Sequence, residues 1–140
     1  MATKFYYKDV KFRLRRTREI KKWIEEVIRA EGKMPGDLSF IILGNEDMLE
    51  INREFLAHDY YTDVIAFDYG NGNEVTGEIY LGIETIRKNA KQYNKALIGE
   101  LMRVIIHGVL HITGYDDREE KDKRVMREKE DYYLERFRGG

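Results

Sequence analysis

The stretch GELMRVIIHGVLHITGYDD, residues 99–117, decides how this 140-residue chain is read. Leu97 to about Thr113 is expected to be a helix, apolar around its two histidines and broken at Gly114. On that helix His107 and His111 stand four apart, so their imidazoles project from one face, about 40° apart at 3.6 residues per turn. Asp117 follows the glycine break, where the turning chain can fold a carboxylate back over the pair. Two histidines at this spacing also suit a buried face satisfied by backbone carbonyls. The apolar surroundings, the placed break and the presence of only three histidines in the chain favour a metal centre of His107, His111 and Asp117.

Three protein ligands leave one tetrahedral position open for water, the catalytic rather than the structural pattern for zinc, and hydrolysis is the natural reaction class. Two imidazoles and one carboxylate also suit iron, manganese or cobalt. The expected cofactor is one divalent metal ion, zinc before the others. A helical metallopeptidase carries Glu directly after its first histidine; Gly108 stands there, so a peptidase would lack its base. Glu100 and Arg103, seven and four residues before His107, return to the metal face and are the candidate catalytic residues. Glu100 either takes a proton or merely orients a histidine or caps the helix; Arg103 either stabilises a phosphodiester transition state or pairs with an acidic neighbour.

Around this helix the chain reads as one domain, 1–140, of α+β class: a small mixed β-sheet packed with about five helices. Thr17 is the expected N-cap of a helix to Ala30 whose apolar face is Ile20, Trp23, Ile24, Val27 and Ile28, with Gly32 ending it. Strands are expected over 38–43, 64–67 and 75–81, with a turn at 70–73. Further helices are expected from a cap at Asn45, over 83–94, and from about Arg118. No phosphate-loop or dinucleotide glycine fingerprint accompanies them, and no cofactor-binding residues beyond the metal ligands are expected.

Absence of cysteine removes disulfides and thiol nucleophiles and fits a reducing compartment. With no apolar run long enough to span a bilayer, a cytoplasmic protein without membrane contact is expected. Net charge is only -1, but residues 1–33 carry +6 and the remainder -7. Lys11, Arg13 and Arg15 would share one face if their segment were a strand, and could follow a phosphate backbone. A solvated basic face is the plainer explanation.

Residues 107–117, read as His-Gly-Val-Leu-His-Ile-Thr-Gly-Tyr-Asp-Asp, resemble the signature of the YbeY family, whose last position is ordinarily a third histidine. NREFLAHDYYTDVIAF at 52–67 and Gly77-Glu78-Ile79 resemble two further family blocks, so the likeness spans nearly the whole chain. It departs at Leu56, where the family has arginine, at Ala66, where it has serine, and at Asp117. The resemblance implies a zincin-like metal helix and a metal-dependent endoribonuclease in which metal-activated water attacks the phosphodiester. It further implies single-stranded RNA as substrate, 16S rRNA 3′-end maturation and late ribosome quality control as the task, and the small ribosomal subunit as partner, with no DNA expected. Arg103 is the candidate to replace the arginine missing at Leu56. Tyr60, Tyr61 and His58 are possible substrate contacts, with plain structural roles equally open. Two other readings stay in play: a ribosome-assembly binding factor with a structural or vestigial metal, and another metal-dependent hydrolase.

Overall fold

In the computed structural model, residues 2–56, 62–70 and 72–139 are described. Nine elements follow in the order β1 (Thr3–Lys8), α1 (Thr17–Ala30), β2 (Met34–Leu43), α2 (Asn45–Leu56), β3 (Val64–Asp68), β4 (Glu74–Gly82), α3 (Ile83–Gln92), α4 (Leu97–Thr113) and α5 (Glu120–Gly139). The strands form one mixed sheet ordered β1-β2-β4-β3. β2 pairs in parallel with β1 and with β4, while β3 is an antiparallel edge beside β4. This is the α+β architecture expected.

Period-two alternation decides what each sheet face does. Leu38, Phe40 and Ile42 of β2 and Val75, Ile79 and Leu81 of β4 join the main core with α1, α3 and α4, whereas Leu43, Met48 and Ile65 form a smaller cluster on the other face. Helix α1 buries Ile20, Trp23, Ile24, Val27 and Ile28, the five residues its periodicity selects. Trp23, the chain's single tryptophan, donates its indole N–H to the Tyr133 carbonyl at 3.0 Å, fastening α5 onto α1.

Two local expectations are corrected, and a condition left open is decided. Thr17 is the first helical residue rather than the cap; Arg16 precedes it in the left-handed conformation, φ 57°, with its guanidinium on Glu19. Asn45 begins α2 but spends its side chain elsewhere, its Oδ1 accepting from the Thr85 hydroxyl and its backbone N–H donating to Glu84. Residues 9–16 form no strand. Lys11, Arg13 and Arg15 are all exposed, with Leu14 buried between, but the segment belongs to no ladder. Its only regular pairing lies upstream in β1. Arg13 bonds the carbonyls of Val10 and Phe12 and lies 4.5 Å from the Tyr7 ring centre. Tyr60, Tyr61 and His58 lie outside the described residues, as does Asn71 of the turn at 70–73.

Candidate metal centre

Helix α4 is buried on nearly every side. Between Leu101 and Ile112 only Arg103, His107 and His111, spaced i, i+4 and i+8, keep partial exposure, so one polar line runs along an otherwise apolar rod. Gly108 allows this rod to lie against the sheet: a Cβ there would stand 3.0 Å from Ile79 Cγ2 and 3.5 Å from Val64 Cγ2. The close approach that glycine permits is therefore made by strands. At the C-terminus Gly114 takes φ 122°, and the N–H of Tyr115 returns to the Leu110 carbonyl.

The reversed chain brings Asp117 back over the histidines. Its Oδ2 stands 3.2 Å from His107 Nε2 and 3.3 Å from His111 Nε2, and donor atoms of all three residues lie within 4.8 Å of one another. Zinc bonds of about 2.0–2.2 Å in a tetrahedron require ligand separations of about 3.3–3.6 Å. The two measured separations are close to that edge length, and two imidazole nitrogens plus a carboxylate are a fitting donor set for a divalent ion.

A fourth residue completes the arrangement, and it comes from α5. Glu130 is 5% exposed; its Oε2 lies 2.6 Å from His107 Nδ1 and its Oε1 accepts from Arg103 Nη1 at 2.8 Å. When His107 Nδ1–H donates to this carboxylate, the lone pair of Nε2 is left facing Asp117 and His111. Burial by itself would depress the His107 pKa, but the Glu130 hydrogen bond and charge, with Asp117 and Asp63, raise it. Arg103 also donates to Asp131 at 2.6 Å, so two carboxylates engage its guanidinium. Burial opposes its charge, and these partners more than offset that. Glu100, one turn before Arg103, lines a cavity together with Arg103, His107, Asp117 and Glu130.

Sequence reading missed Glu130 and Asp63. Burial pushes the Asp63 carboxyl up, against the attraction of His107, and the residue borders the space on both sides of the metal ligands. Behind the returning loop, Glu31 at the end of α1 accepts hydrogen bonds from Tyr115 at 2.6 Å, from Tyr133, and from Lys129 at 3.3 Å. Burial raises this carboxyl, and the three donors outweigh it and hold it below its ordinary range. Tyr115, two residues before Asp117, is thereby anchored.

The family model described as endoribonuclease YbeY matches residues 5–138. A protein named endoribonuclease YbeY from Bacteroides thetaiotaomicron is 40% identical over 134 residues, covering 96% of this chain and 98% of its own. One of that name from Flavobacterium psychrophilum is 42% identical over 129 residues, covering 92% of each. A solution structure of a Thermotoga maritima protein superposes with a TM-score of 0.69 at 29% identity, covering 99% of this chain and 90% of that one.

Proposed function

We propose, from the premise that this chain belongs to the endoribonuclease YbeY family, that it is a metal-dependent endoribonuclease cleaving single-stranded RNA. Its task in this reading is 3′-end maturation of 16S rRNA and late quality control on the small ribosomal subunit, in the cytoplasm. The observation that carries the reading is the convergence of His107, His111 and Asp117 on one point of a cavity wall, with His107 oriented by a buried carboxylate.

Zinc is the ion we assign, and when bound it supplies Lewis acidity and a water of lowered pKa. Everything else falls to the chain. His107 and His111 present Nε2, and Asp117 presents Oδ2. Compared with a third histidine, that carboxylate takes one unit of positive charge from the site. Arg103 uses two of its N–H donors on Glu130 and Asp131, which leaves others for a phosphate oxygen as negative charge grows on it. Glu100, along the same wall, is the proposed proton acceptor.

No helix among the described residues is by itself long and apolar enough to cross a membrane. The assembly-factor reading draws on one observation, the engagement of Arg103 by two carboxylates while Leu56 occupies the family's arginine position. One experiment separates the two: metal content by mass spectrometry on untagged protein, wild type beside Asp117→Ala, followed by RNA cleavage with the same material. Near-stoichiometric metal and cleavage in wild type, both lost in the variant, is the expected result. A wild type that takes up no metal on reconstitution and leaves RNA intact refutes the nuclease.

A further inference from the structure

Two cavities meet at the metal ligands, of about 460 Å³ on the α5 side and about 430 Å³ on the β3 side. Asp63, Val64, His107 and Asp117 border both, so the ligands stand midway along one groove. Its two halves differ in charge. Among the described residues the β3 half is bordered by Asp63, Asp68 and Asp117 and by no lysine or arginine, whereas in the α5 half Arg103, Lys123 and Arg127 stand beside Asp63, Glu100, Asp117 and Glu130.

The three cations are not equivalent. Arg103 is engaged by Glu130 and Asp131. Lys123 has only a 3.9 Å approach to Glu120, which is 90% exposed, and among the described residues no carboxylate pairs with Arg127. Lys123, Arg127 and Glu130 follow the i, i+4, i+7 spacing that puts residues on one helical face. Glu130 holds His107 at one end of that face. At 1.5 Å rise per residue, Arg127 stands about 4.5 Å and Lys123 about 10.5 Å back along α5 from it. Cations thus step away from the metal ligands in a row, with solvent-facing heads and no strong internal partner.

We infer that Lys123 and Arg127 form a phosphate-binding subsite for the nucleotides adjoining the cleaved bond, so that single-stranded RNA leaves the metal centre along α5. The subsite deepens the nuclease reading and rests on it. It also makes recognition one-sided: among the described residues cations border only the α5 flank, and Asp68 borders only the β3 flank.

The test is the salt dependence of binding. Fluorescence anisotropy of a labelled single-stranded oligoribonucleotide is followed on chelator-treated protein, so that no cleavage intrudes, with circular dichroism verifying the fold of each variant. Each phosphate contact to a single strand contributes about 0.7 to the slope of log K against log salt. The double variant Lys123→Ala, Arg127→Ala is expected to lower that slope by about 1.4. Lys121→Ala, Arg124→Ala, which removes the same charge from α5 residues outside the groove, is expected to keep it. Equal slopes for wild type and groove variant, or an equal loss in the control, overturn the subsite. If the slope falls as stated while metal-loaded wild type cleaves no RNA, Lys123 and Arg127 bind RNA phosphates but the nuclease reading falls, and with it their place beside a cleaved bond; if RNA is cleaved and the slope is unchanged, the subsite alone falls.

Discussion

Glu130→Gln isolates the contribution of one buried charge to metal binding. The substitution keeps volume and shape, and the amide oxygen can still accept from His107 Nδ1–H, now 2.6 Å from the carboxylate. What disappears is the negative charge, together with the second acceptor oxygen, which takes the Arg103 bond. A hydrogen bond to a charged group is worth about 1.5–3 kcal/mol, roughly twice a neutral one, so about 1–1.5 kcal/mol of support for the imidazole as an electron donor is lost. That corresponds to about tenfold weaker metal binding, the lower edge of the 10–100-fold range typical when a ligand's outer partner is removed. The Arg103 bond at 2.8 Å is lost, because the amide nitrogen then meets Nη1 as a second donor, but Arg103 is partly exposed and keeps Asp131, which limits the cost to the fold. Competition against a chromophoric chelator measures the dissociation constant, and Trp23 fluorescence monitors whether α5 remains docked. A folded variant whose metal affinity lies within twofold of wild type would falsify the orienting role of Glu130.

Two further outcomes follow from packing and from titration. Gly77→Ala places a Cβ 2.2 Å from the Phe67 carbonyl oxygen, a backbone atom of the neighbouring strand, so β3 and β4 must part; urea unfolding should show a loss of about 3 kcal/mol, and a loss under about 1 kcal/mol would contradict the close approach. Glu31 has a folded pKa below its ordinary value of 4.5, so its stabilising contribution is complete above that value and is lost as pH falls through the lower folded value. Wild type should therefore lose stability faster than Glu31→Gln on acidification from pH 6 to 3.5, and identical pH slopes in urea titrations would rule out the carboxylate as the anchor of Tyr115.

The parts legible from sequence are those in which one segment carries the whole signal. Helix α1 announces its buried face because five large apolar residues recur at helical spacing, and His107, His111 and Asp117 are legible because a single helix and the turn behind it bring them together. Glu130 was not legible. It lies in a run of charged residues on α5, and nothing in its neighbourhood distinguishes the buried carboxylate from the exposed Glu128; only α4, placed across it, makes the difference. Arg103 was legible as a neighbour of the metal face but not as a partner of Glu130 and Asp131, which lie 27 and 28 residues further on. The alternating basic residues at 11, 13 and 15 left a strand open for a related reason. Alternating exposure needs only an extended chain with Leu14 tucked inward, whereas a strand needs a neighbour with free backbone groups, and β2 gives that edge to Thr3–Lys8 instead.

The bond from Trp23 to Tyr133 spans 110 residues, and Glu31 meets Tyr133 across 102. Closing a loop of that length costs about 2 kcal/mol more in chain entropy than closing one of ten residues. Docking of α5 is thus among the most expensive closures in the folding reaction and is repaid only after α1 and α4 offer their packed surfaces. A chain that has assembled its sheet and the α4 helix already carries both histidines on one face, yet lacks Glu130 to orient His107 and Tyr133 to help anchor Glu31 behind the Asp117 loop. The capacity to bind an ion well thus depends on the docking of α5, and the single tryptophan sits on the contact that reports it.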